Sequence, residues 1–125
     1  TGHGIEVNAV RFLTITGNKI FSVAGDGMNL AVSGAAFNGA TDKLRTAVVS
    51  GNTIKTAIGN GIKMQLYNFV VDGNTIVDCG SGGSTAVYYI TGYSGTLTSK
   101  WGLVADNTMQ HLAGTVLSAF IDDRW

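Results

Sequence analysis

The sequence predicts an all-β chain wound as a right-handed parallel β-helix, with about five coils of ~22 residues and two short insertions. Three observations lead there. A corner signature recurs at Gly17-Asn18, Gly51-Asn52, Gly73-Asn74 and Asp106-Asn107, with asparagine spacings of 34, 22 and 33. Short runs alternate apolar and variable residues, as in Gly4-Ile5-Glu6-Val7 and Gly61-Ile62-Lys63-Met64, and no stretch holds a helical i, i+3, i+4, i+7 stripe. The chain also has eighteen glycines and no proline, a composition suited to many sharp corners.

Aligned on the asparagines, the neighbouring residues fall into columns. Two positions later stand Ile20, Ile54, Ile76 and Met109; three positions earlier stand Ile15, Val49, Val71 and Val104. A further apolar column is expected from Ile5, Met28, Ile62, Val87 and Val116. These columns are assigned to the interior. The spacings fit a coil with insertions of about ten residues in the second and fourth turns, "SGAAFNGATDK" and "TGYSGTLTSK". Parallel crossovers are overwhelmingly right-handed, which sets the hand. A propeller would need about forty residues per blade. Coils ~4.8 Å apart would place Asn18, Asn52, Asn74 and Asn107 in one structural ladder, each amide bonding to the next.

Charge and composition exclude several classes. The chain is formally neutral with 13% charged residues, and its eight Lys+Arg form no basic patch of the kind that nucleic acid requires. No apolar run is long enough to insert in a membrane, and the start lacks a signal-peptide pattern. Cys79 is the lone cysteine and reads as structural. Residues 1–125 read as one segment of β-helix cut from a longer chain, since neither end shows a polar cap.

The outward positions carry the functional signal. Strict alternation points Thr14, Val48, Val70 and Leu103 away from the interior, and beside them Phe12, Thr46, Asn68 and Trp101. An apolar outer ladder of Val48, Val70 and Leu103 flanked by Phe12 is expected to be an oligomer interface. Folding of the insertions over that face is the alternative.

Gly-Ile-x-Val followed by Val-x-Gly-Asn-Thr-Ile, repeated with loops of irregular length, resembles the right-handed β-helix of the pectate-lyase-like superfamily. Within it the chain is most similar to bacteriophage tailspikes and related receptor-binding proteins. That resemblance implies a homotrimer on the virion, or otherwise extracellular, that binds and often cleaves bacterial surface polysaccharide. It leaves two functions open: a structural, receptor-binding segment of a tailspike or tail fibre, and a polysaccharide-degrading glycosidase or lyase.

Catalysis has weak support. Asp72 and Asp106 are the one carboxylate pair that the register brings to adjacent coils, and turn-forming aspartate is the commoner explanation of both. The calcium cluster and arginine base of a pectate lyase are missing from the outer column Glu6, Asn29, Lys63, Tyr88. Asp26 and Asp78 read as turn residues, and neither His3 nor His111 has a second ligand at metal spacing. No metal or cofactor is expected, and the segment alone is not expected to turn over a glycan. Tyr88, Tyr93 and Trp101 are the candidate carbohydrate contacts, because aromatic faces suit sugar rings and loops on a rigid scaffold concentrate recognition; packing in a subunit contact is the equal alternative for Trp101.

Overall fold

The computed structural model describes residues 2–7, 12–30, 46–64, 68–80, 88–92, 102–112 and 119–121. They form three parallel sheets and, among the described residues, no helix. Sheet A stacks β1 (Ile5–Val7), β4 (Met28–Leu30), β7 (Ile62–Met64), β10 (Tyr88–Gly92) and β13 (Ala119–Ile121). Sheet B stacks β2 (Phe12–Thr16), β5 (Thr46–Ser50), β8 (Asn68–Asp72) and β11 (Gly102–Ala105). Sheet C stacks β3 (Lys19–Val23), β6 (Thr53–Ala57), β9 (Thr75–Val77) and β12 (Thr108–Gln110). The chain visits A, B and C in strict rotation, and each strand pairs with the one three places before it. Such sequence-ordered parallel stacks are consistent with a parallel β-helix.

The register follows from alternation. Strands β5 and β8 each bury their second and fourth residues and turn the others outward, because side chains on a strand point to alternate faces. Ile15, Val49, Val71 and Val104 therefore align across sheet B, and Ile20, Ile54, Ile76 and Met109 across sheet C. Val49, Val71, Ile54 and Ile76 are wholly buried, whereas Val104 and Met109 at the β11–β12 edge are half-buried. A slip of one residue would exchange the core for the outer face of a whole strand.

Size is balanced along a column as well as across the interior. Leu13, Ala47, Phe69 and Gly102 align in sheet B. The Phe69 ring lies against Gly102, where an added Cβ would fall 2.1 Å from the ring. Large and small residues alternate so that one aromatic fills two rungs.

The third inner column differs from the expectation at its later members. Ile5, Met28 and Ile62 align as predicted, but the next partner is Ile90 instead of Val87, and Ile121 follows it. The outer partner of Lys63 is accordingly Thr91, with Tyr88 paired to Ala119 instead. The apolar alternation Val87-x-Tyr89 misplaced the strand by three residues, because the aromatic Tyr89 takes a core position at the corner. Val87 and Val116 themselves lie outside the described residues.

Candidate interaction surface

The faces that could meet a partner are held by the corners between the sheets. At the B–C corner each asparagine bonds forward to the next. The Asn52 backbone N–H and side-chain Nδ2 donate to Asn74 Oδ1 at 3.0 and 2.9 Å, and Asn52 Nδ2 also donates to the Ile15 carbonyl at 2.9 Å. Asn18 donates to Asn52 and Asn74 to Asn107 in the same way. Asn52 and Asn74 are each 1% exposed, so the ladder satisfies backbone groups that water does not reach. The residue before each asparagine is left-handed: Gly17, Gly51, Gly73 and, in the fourth turn, Asp106 at φ 50°. Aspartate is among the few side chains that tolerate this region. That is the structural role of Asp106.

A second corner, between sheets C and A, has its own ladder, which the sequence reading did not find. His3, Asp26 and Asn60 follow one another there. Asn60 N–H and Nδ2 both donate to Asp26 Oδ1 at 2.7 and 2.9 Å, and Asp26 N–H donates to His3 Nδ1 at 3.0 Å. His3 Nδ1 also lies 3.4 Å from Asp26 Oδ2. The bonds run backward along the chain, opposite to the asparagine ladder. Each αL position before this corner carries a side chain: Ser22, Thr56 and Asp78 at φ 53°, 61° and 52°. Three unlike residues do one job, and what repeats is the pair of glycines that flanks each: Gly2 and Gly4, Gly25 and Gly27, Gly59 and Gly61.

Next in line come Gly4, Gly27 and Gly61, where the backbone of the following coil passes too closely for a side chain. A Cβ on Gly61 would lie 2.5 Å from the Tyr89 carbonyl oxygen and 2.7 Å from Ile76 Cγ2. In the fourth turn Tyr89 takes the glycine's place, and the isoleucine column becomes Met109, unbranched at Cβ and more adaptable. Tyr89 is fully buried with its ring edge-on to Phe120 at 5.3 Å. Its hydroxyl donates to the Gln110 carbonyl at 2.9 Å. That single proton being committed, His111 Nδ1, 3.1 Å away, has to be the donor in their contact. Burial pushes the phenol up to about 12. Cys79 is likewise buried, its thiol pushed up to about 11 chiefly by desolvation, which makes it an unreactive core residue.

The outward faces follow from this frame. On sheet B, Thr14, Val48, Val70 and Leu103 form one column, with Leu103 54% exposed; Phe12 beside them is 76% exposed. Asp72 also faces outward there, opposite Ala105. Sheet C turns out Lys19 and Lys55, with Phe21 54% exposed. On sheet A, Glu6 is exposed, whereas Asn29 and Thr91 in the same column are buried.

Asp72 and Asp106 thus occupy different settings, one on a sheet face and one in the corner backbone. Tyr93 and Trp101 lie outside the described residues, as does the side chain of Tyr88. Among the described residues no three His, Cys, Asp or Glu side chains gather closely enough to hold a metal ion. His3 and Asp26 spend their polar atoms on corner bonds. What the described faces offer is contact chemistry: apolar columns edged by single charges. Comparison of the chain with protein-family models, with curated proteins and with solved structures finds no match.

Proposed function

We propose that the chain is a right-handed parallel β-helix of about five ~22-residue coils, serving as a structural and receptor-binding segment of a trimeric phage tailspike or tail fibre. In this reading it stands in the virion and recognises a bacterial surface polysaccharide. The observation that carries the proposal is the outer face of sheet B, where Phe12 and Leu103 are more than half exposed beside Val48 and Val70. Contiguous apolar surface of this kind marks a contact with another chain. The repeat of Gly-Ile-x-Val and Val-x-Gly-Asn-Thr-Ile, which resembles tailspike coils, directs the choice of protein class.

The sugar contacts are assigned to Tyr88, Tyr93 and Trp101, whose rings suit the apolar faces of pyranoses. The test has two arms. Light scattering on the purified chain is expected to give a trimer that Val70→Lys dissociates. Glycan-array binding is expected to show retention of a bacterial surface polysaccharide, weakened at least tenfold by Trp101→Ala, with no new reducing ends. A monodisperse monomer indifferent to Val70→Lys contradicts the assembly. Failure to retain any polysaccharide contradicts receptor binding.

A further inference from the structure

Two sheet faces carry opposite charge, and neither charge is answered within the described chain. Among the described outward residues of sheet B the only ionisable one is Asp72. On sheet C the ionisable ones are Lys19 and Lys55, both exposed. None of the three side chains makes a hydrogen bond or ion pair among the described residues. Both faces also present exposed aromatic surface, Phe12 on B and Phe21 on C.

Area decides how these faces can be used. A five-residue strand is ~17 Å long and four strands span ~19 Å, so each face offers about 300 Å² in projection. A stable interface takes about 800 Å² from each partner. One face paired once falls far short. A closed ring in which every copy uses both faces commits about 600 Å² per copy, in two contacts of about 300 Å² each, so closure of the ring and not any single contact has to hold the assembly.

Charge decides which face meets which. B against B would bring Asp72 toward Asp72, and C against C would oppose lysines; like-charge juxtaposition is penalised at interfaces. B against C joins opposite charges and apolar columns together. Lys55 belongs to the coil before that of Asp72, a rise of ~4.8 Å, which a lysine side chain spans. We propose that the outer face of sheet B docks on the outer face of sheet C of a second copy, with Asp72 meeting Lys55, in a heterologous contact that closes into a ring. The inference rests on the self-association proposed above and specifies the faces.

The experiment uses the full chain. Asp72→Lys and Lys55→Asp are each expected to lower the assembled fraction about tenfold in light scattering at low salt. The double exchange is expected to restore it. Cross-linking reports the same geometry with the charges intact: Val70→Cys alone yields no disulfide dimer, and mixed with Thr75→Cys it does. Charge variants that assemble like the parent, or cross-linking of Val70→Cys to itself, overturn the face pairing while leaving self-association standing. A monomeric parent chain overturns both.

Discussion

The two ladder corners solve one problem in different ways. At the B–C corner, four asparagines in register bond forward through their amides, with Gly17, Gly51, Gly73 and Asp106 taking the left-handed position. At the C–A corner, His3, Asp26 and Asn60 bond backward, and Ser22, Thr56 and Asp78 take the left-handed positions. The inner rungs of the first corner, Asn52 and Asn74, are buried, and there a side chain with both a donor and an acceptor is required; Asn18 and Asn107 at its ends are half-buried. The second has one buried rung, Asp26, between the half-buried His3 and Asn60, and unlike polar residues of suitable reach serve there. Repetition of the rung residue records the stringency of the site rather than the presence of a corner.

Removing one rung should expose the difference most sharply. Asn74→Ala deletes four side-chain bonds, to Asn52 N and Nδ2, to the Val49 carbonyl and to Asn107 Oδ1. With buried partners left unsatisfied the loss is expected to be about 3–5 kcal/mol in urea unfolding. Asn60→Ala removes the Nδ2 bond to Asp26, while the backbone bond to the same carboxylate survives. A cost of about 1.5 kcal/mol is expected. Equal losses would mean that the corners are equally stringent.

The glycines of the two corners differ in kind as well. Gly61→Ala pushes a Cβ into the Tyr89 carbonyl and Ile76, and should cost about 3 kcal/mol by overpacking. At Gly73 the nearest atom to an added Cβ is 3.9 Å away, so only the φ of 62° matters. Gly73→Ala should cost about 1 kcal/mol. Thermal melts of the pair separate crowding from backbone conformation.

How much could be read from the chain alone follows the same division. The parallel strands, the columns through Ile54 and Val71, and the asparagine alignment were legible because each repeats one residue type at one offset. The second ladder was not, since His3, Asp26 and Asn60 differ in chemistry and only their flanking glycines repeat, a pattern that marks a corner without showing that the residue between forms a rung. Ile90 was missed in favour of Val87 because Tyr89, within β10, stands in line with Gly61, where the earlier coils carry glycine. The apolar columns on sheet B could be assigned outward by parity alone. The partner face proposed for them could not, because Lys19 and Lys55 share one face of sheet C only once the strands are folded.

Alkaline pH should probe the interior beside the second corner. Cys79 and Tyr89 are buried neutral, with folded pKa values of about 11 and about 12 against ordinary values of 9.0 and 10.0. The unfolded chain therefore releases these protons first. Their stabilisation is full below pH ~9 and is lost as pH rises toward ~12. The fall should be shallower in Tyr89→Phe with Cys79→Ala, measured relative to each variant's own stability at pH 7. A parallel slope would assign the alkaline loss to other groups.

The smallest effect is expected at Thr56, a β-branched residue held at φ 61°. Thr56→Gly should raise stability by up to about 1 kcal/mol, relief of the left-handed strain outweighing the added freedom of the unfolded chain. A loss of stability would show that the threonine side chain contributes more at this corner than its backbone costs.

Side-chain amide hydrogen exchange, followed by NMR, tests the asparagine ladder most directly. The Nδ2 protons of Asn52 and Asn74 should exchange only with global unfolding, as slowly as the core strand amides of β5 and β8, while those of Asn60 exchange at least a hundredfold faster. Rapid exchange at Asn52 and Asn74, at the rate of an exposed carboxamide, would contradict a buried ladder and with it the stacking of the coils.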